Sequence, residues 1–283
     1  MSKSSWIKPA LIATAFVGVT VAEVRRPLRR TRESKAVRVT RNLITAGLTA
    51  AVTSALQSWL LAPVAKKVER ERLGVLNQIR MPRVLRTVIG ALALDYTLWW
   101  WHYANHRVPL LWRFHLVHHV DRDLDASTGL RFHFGEMALS VLYRMAQFRL
   151  LGPSSSAISS WQTLLFLSIA FHHSNLRLPV KVERKLVRWL VTPRMHGIHH
   201  SDYRDETDSN WSSLVSWWDR MHGTMRLDVP QDAIDIGVPA YQDPDDVKLV
   251  QITAMPFVAQ REDWVSLGGV EQLARTEPDA LEP

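Results

Sequence analysis

Two apolar stretches, Ile7 to Val24 and Leu43 to Ala65, set the first limit on how this chain can fold. Each has the length needed to cross a hydrocarbon core, roughly 20 residues. Inside lipid only helices and closed barrels satisfy every backbone polar group, so both stretches read as spanning helices. The first ends in Ala22-Glu23-Val24-Arg25-Arg26, with no small-residue cleavage pattern and with its stronger positive flank behind it, which marks a retained anchor rather than a removed leader. Three shorter or interrupted segments follow: Val84 to Tyr103, Met137 to Leu151 and Ala157 to Phe171, the last two joined by a Gly152-Pro153-Ser turn. Asp95 falls in the third segment and Arg144 and Arg149 in the fourth, which suits re-entrant helices covered by neighbours as well as full spans.

Charge is divided unevenly. Up to Leu227 there are 32 basic and 15 acidic residues, and from Asp228 onward 3 and 12, so balances of +17 and −9 sum to the net +8. A basic body attracts nucleic acid or an anionic membrane surface. Its arginines cluster beside apolar segments and no nucleic-acid reading motif is present, which favours the membrane and excludes nucleic acid as partner. Eight basic residues between Arg25 and Arg41 place that loop in the cytoplasm, and segment parity then puts the region around His102 on the same side. The loop Lys66 to Arg86 is also basic and falls on the opposite side under that parity. Trp99, Trp100 and Trp101 sit where the third segment would leave the bilayer, and Trp211, Trp217 and Trp218 read as interfacial packing.

All 12 histidines lie between His102 and His222, while cysteine is absent. Disulfides, thiol nucleophiles and thiolate metal sites are therefore excluded. The histidines form His102-Tyr-Ala-Asn-His106, His115-Leu-Val-His118-His119 and His196-Gly-Ile-His199-His200. A shuffled chain of this composition would hold about 0.02 copies of H-x-x-H-H, and this one holds two. Residues three or four apart share a helix face, so each group aims its imidazoles at a common point. Pro109 separates the helix ending in His106 from the one bearing His115, and Thr192-Pro193 is a capped helix start for the third group. A ninth imidazole is available in Phe171-His172-His173. Eight or nine nitrogens exceed one ion's needs but give each of two ions four or five, and imidazole suits iron, zinc, copper and nickel. A hydrolytic zinc site is a weaker fit, because H-E-x-x-H is absent.

With these blocks in order, the segment from Ala91 to Leu227 resembles the fatty acid hydroxylase and sterol desaturase superfamily. The resemblance rests on Asp95-Tyr96 before His102-x-x-x-His106, on Leu111-Trp112-Arg113-Phe114-His115-x-x-His118-His119, and on Arg131-Phe132-His133-x-x-Glu136. It continues through His173-Ser174-Asn175, Pro193-Arg194-Met-His196-x-x-His199-His200-Ser201, Asn210-Trp211 and Trp218-Asp219-Arg220. Members are taken to hold two irons, activate O2 with supplied electrons, and hydroxylate or desaturate lipids, some cleaving alkyl-glycerol ethers. The resemblance implies His102, His106, His115, His118, His119, His173, His196, His199 and His200 as iron ligands, with zinc as a possible substitute, and leaves His172 a neighbour.

Neutral imidazoles leave the metal charge uncompensated, so carboxylates are expected to hydrogen-bond the far ring nitrogens. Asp95, two helical turns before His102 on the same face, is the first candidate, with Glu136, Asp121 and Asp208 behind it and His133 as either a supporting or a purely structural histidine. No dinucleotide fingerprint, haem-attachment motif or iron–sulfur pattern is present, so electrons must come from a separate protein. The expectation is an all-α integral-membrane helical bundle with a cytoplasmic histidine-rich cap. It comprises anchor helices and basic loops over 1–86, a histidine-box enzyme domain over 87–227, and an acidic, proline-containing, loosely packed tail over 228–283. Its function would be lipid hydroxylation or desaturation; a zinc-dependent membrane hydrolase and a noncatalytic metal-binding membrane protein are the alternatives.

Overall fold

A computed structural model of the chain describes residues 7–261. Within that range all regular elements are helical, and extended backbone meets only at isolated bridges such as Leu190 with Val215. Helix α1 (Ile7–Arg25) is followed by α2 (Lys35–Leu56), which runs through a π-helical turn at Gln57–Leu61 into α3 (Ala62–Glu71), and then by the short α4 (Val75–Gln78). The helical stretch Lys35–Gln78, which contains the expected span Leu43 to Ala65, is long and apolar enough to cross a membrane. The long α5 (Arg83–Arg107) and α6 (Pro109–His119) come next, then α7 (Phe134–Leu151) and α8 (Ser155–His173). Short helices α9 (Val180–Leu186), α10 (Pro193–His199), α11 (Arg204–Thr207), α12 (Trp217–His222) and α13 (Leu249–Ala254) complete the chain.

Proline and glycine fix the junctions that matter for the site. Val108 is extended (φ −98°, ψ 115°), as a residue before proline must be, so α5 stops and Pro109 starts α6 in a new direction. At the other end of the molecule α7 closes on Gly152 in the left-handed region (φ 65°), where a Cβ would overlap the Leu73 carbonyl. Ser154 then caps α8 by accepting a hydrogen bond from the Ala157 amide at 3.2 Å. The resulting α7–α8 hairpin packs α8 along α5 and α1, and α7 along α2. Its apolar core joins Leu94, Val141, Phe148, Trp161 and Leu165.

The acidic tail does not form the loosely packed extension that its composition suggests, at least as far as residue 261. Val238, Tyr241, Val247, Ile252 and Met255 bury themselves against Leu116, Val117 and Val120, the back of α6. Val229, Ile234 and Ile236 pack on Leu124 and on Ile198 of α10. Their spacing follows neither helix nor strand period because the segment is moulded to two helix surfaces. The remainder, 262–283, lies outside the described residues.

Part of the basic N-terminal segment is likewise turned inward. Arg38, fully buried, donates to Asp125 Oδ2 at 2.5 Å and lies 3.6 Å from Asp121. Arg41 pairs with Glu33 at 2.8 Å and with Asp121 at 3.4 Å, and Arg131 reaches Asp121 at 3.5 Å. Thus Asp121, Asp123 and Asp125, directly after the second histidine group, are tied to α2 by buried charge. Removing one member of such a network strands the others, at a cost of about 3–5 kcal/mol. Arg38→Met is therefore expected to lower the thermal midpoint of the detergent-solubilised protein sharply, whereas Arg26→Met, at an exposed position, leaves it within a degree or two.

Candidate metal centre

Four helices deliver nine imidazoles to one place. The last two turns of α5 supply His102 and His106, α6 supplies His115, His118 and His119, the end of α8 supplies His173, and α10 with its C-terminal residue supplies His196, His199 and His200. They divide into two adjoining groups, His102, His106, His115, His119 and His199 in one, and His118, His173, His196 and His200 in the other. Within each group the candidate ligand atoms lie within 4.8 Å of one another, and every residue is buried. The groups interleave in sequence, since α6 and α10 each contribute to both.

The outer ring nitrogens are held by the protein. The Nδ1–H groups of His102, His118, His173 and His199 donate to the carbonyls of Trp211 (2.8 Å), Arg131 (3.1 Å), Ile169 (2.9 Å) and Ser209 (2.8 Å). A carbonyl only accepts, so each of these neutral rings carries its proton on Nδ1 and its lone pair on Nε2. His118 Nε2 and His173 Nε2 nevertheless face each other at 3.1 Å, and His199 Nε2 is buried with no hydrogen-bond partner. Two acceptors in contact cannot bond to one another. Two nitrogens about 2.0–2.1 Å from a shared ion at tetrahedral or octahedral angles would stand about 2.8–3.4 Å apart. The Nε2 separations of His173–His196 (3.0 Å), His115–His119 (3.2 Å) and His196–His200 (3.2 Å) fall in that range, so the residues fit metal ions.

Among the expected supporting residues, Glu136 Oε1 accepts from His115 Nδ1 at 3.0 Å, and Asp208 lies 3.8 Å from His106 Nδ1. Asp95 does not face the imidazoles. Its Oδ2 accepts from Trp218 Nε1 at 2.7 Å and from the Val215 amide at 3.3 Å, so it fastens the first turn of α12 and the segment before it to α5. A shared helix face only places two side chains in line, and the neighbour at that height on α5 is this segment. Asp121 is consumed by the arginine network, and His133 caps α7, accepting from the Gly135 amide at 3.0 Å and contacting the Thr253 carbonyl at 3.1 Å. His172 stands 4.2 Å from His196 between ring centres yet joins neither group. Trp99 and Trp211 are core residues rather than interfacial ones: both are 2% exposed, and Trp99 Nε1 donates to Asp219 at 2.9 Å.

Two positioning residues had no role assigned from sequence. Asn210, in the left-handed region (φ 56°), donates to the carbonyls of Met195 and Arg226 and accepts from the Arg226 amide. Asp219 accepts from the amides of Trp211 (3.0 Å) and Ser212 (2.9 Å). Together they hold the loop whose Ser209 and Trp211 carbonyls orient His199 and His102. An Asn followed by a Trp far from any helix start is the only local signal for this, and it is not specific.

Both groups open on one cavity of about 140 Å³ between α5, α7 and α8. His102 and His115 from one group, and His118, His173 and His196 from the other, line one end. Apolar side chains such as Leu98, Phe132, Met137 and Ile169 line the walls. Burial holds His118, His119, His196 and His200 well below the ordinary imidazole value and lowers His199 to about 3. These rings stay unprotonated in the folded chain, while in the unfolded chain they take up protons below about 6.5. Stability is therefore expected to be level above that pH and to fall as the pH drops from about 6.5 toward 3. Thermal melts of chelator-treated protein between pH 8 and pH 5 check this, and a midpoint unchanged down to pH 5 would contradict it.

The family model for fatty acid hydroxylase matches residues 87–224, the segment that carries every histidine described above. Among curated proteins, an alkylglycerol monooxygenase of Danio rerio is 30% identical over 136 residues, 48% of this chain and 29% of the relative. An ornithine lipid hydroxylase of Rhizobium tropici is 28% identical over 159 residues, 56% of this chain and 46% of the relative. A cholesterol 25-hydroxylase of Mus musculus is 27% identical over 142 residues, 49% and 46% of the two chains. The chain thus spans less than half the length of these relatives, and no solved structure matches it. Residues 87–224, which gather the nine imidazoles, thus match the fatty acid hydroxylase family over just under half of the chain.

Proposed function

We propose that this chain is a membrane-bound di-iron oxygenase that hydroxylates or desaturates a lipid, using O2 and electrons delivered by a separate protein. One observation carries the proposal: five-membered and four-membered imidazole groups look into the same narrow, apolar-walled cavity. Hydrolysis by zinc needs three protein ligands and an open water position, whereas nine ligands around two ions suit a redox centre. The names of the relatives, two hydroxylases and a monooxygenase of lipids, support the substrate class.

One iron would be held by His102, His106, His115, His119 and His199, the other by His118, His173, His196 and His200. When bound, the pair supplies the oxidising power toward an unactivated C–H bond that side-chain acids and bases lack. The chain's own groups do the rest. Leu98, Phe132, Met137 and Ile169 exclude water and seat an apolar chain against the imidazole end of the cavity. Backbone carbonyls at Trp211, Arg131, Ile169 and Ser209 keep the Nε2 lone pairs pointed inward. Glu136 holds His115 through Oε1 while its buried Oε2 has no hydrogen-bond partner and can take a proton at the cavity wall. Arg29, which donates to the Pro193 carbonyl at 2.7 Å, ties the basic segment to the histidine end, and with the positive-inside bias this supports a cytoplasmic side for that end.

Elemental analysis of the purified protein is expected to find two irons per chain, and lipid turnover is expected to require both reductant and O2. Stoichiometric zinc with reductant-independent turnover would overturn the oxygenase. His118→Ala and His199→Ala each damage a different group, so each is expected to lower bound iron from two toward one and turnover by at least 100-fold, with membrane insertion retained.

A further inference from the structure

The cavity has a second chemical end. Among the side chains lining it, Arg144 on α7 is the one permanent cation. No carboxylate pairs with it and no acceptor bonds it among the described residues; its guanidinium lies 5.2 Å from the centre of the Trp161 ring. The polar neighbours are already engaged, Tyr143 donating to the Thr97 carbonyl at 2.7 Å and Gln147 to Thr97 Oγ1 at 2.6 Å. A tryptophan face attracts a cation but leaves its charge in place, and a guanidinium in an apolar helical hairpin requires an anion or a functional reason to be there.

We propose that Arg144 binds the carboxylate of an acyl-chain substrate whose hydrocarbon runs along the cavity toward the histidines. This rests on the cavity's being the substrate site of the oxygenase proposed above. A guanidinium fork matches a carboxylate in two parallel hydrogen bonds. With no carboxylate of the described residues paired to it, this one fixed positive charge matches a singly charged carboxylate rather than a doubly charged phosphate. Arg144 lies eight residues beyond Glu136 on the same helix, so their Cα atoms are separated by about 12 Å along its axis. Such a site selects a free acid over its ester or alcohol, which no contact with the chain alone would do.

Binding of cis-parinaric acid and of its methyl ester to the full chain in neutral detergent, followed by fluorescence, tests this without turnover. The wild-type protein is expected to bind the acid at least tenfold more tightly than the ester. Arg144→Gln should bring the two within about twofold, mainly by weakening the acid, and Arg144→Lys should retain a preference of several-fold. Equal affinities in the wild type, or a tenfold preference that survives in Arg144→Gln, would overturn the assignment; should Arg144→Gln not fold, the wild-type ratio and the lysine variant decide alone. Acid preference without bound iron would sink the oxygenase but not this site, and two irons without acid preference would do the reverse.

Discussion

Buried imidazoles whose inner nitrogens converge to 3.0–3.2 Å cannot satisfy one another. Behind four of the rings, backbone carbonyls fix the proton on Nδ1 and leave the lone pair on Nε2. A cation between the inner nitrogens would turn that conflict into attraction. Much of the architecture follows from this demand. The proline between α5 and α6 folds two histidine-bearing helices back on each other, and the close passage of α10 under Arg29 is allowed because Gly197 has no Cβ to overlap the guanidinium. Asn210 and Asp219 have no direct contact with the cluster, yet they hold the loop that orients two of its rings.

How much of this could be read from sequence depends on how local the determining interaction is. Histidines three and four apart announce their helix faces, and Pro109 and Thr192-Pro193 mark helix starts by backbone chemistry alone, so the helices of the cluster were legible. Which of His172 and His173 joins it follows from family resemblance and not from spacing, since both are buried at the end of α8. Asp95 illustrates the limit. Its place on the helix was correct, but its partner, the Trp218 indole, comes from more than a hundred residues away and nothing within α5 specifies it.

Net charge proved a poorer guide, because the same residue type serves opposite roles. Counting arginines between Arg25 and Arg41 treats Arg38 and Arg26 alike, although one is buried among three aspartates and the other is exposed. Only the exposed fraction can act on a membrane surface. The acidic tail erred in the mirror sense: its charges and prolines lie between apolar residues that close the backs of α6 and α10. Composition averages over faces, and faces decide burial.

A single helix, α7, carries both Glu136 at the metal-facing end of the cavity and Arg144 farther along it. If Arg144 fixes a carboxylate as proposed, rigid helical rise makes α7 a ruler: the carbon presented to the imidazole end is counted from that carboxylate and does not depend on total chain length. Apolar walls grip methylene groups alike and discriminate them weakly, whereas an unpaired buried charge rejects a neutral ligand strongly. Position along the chain and the choice between acid and ester would then arise from one contact.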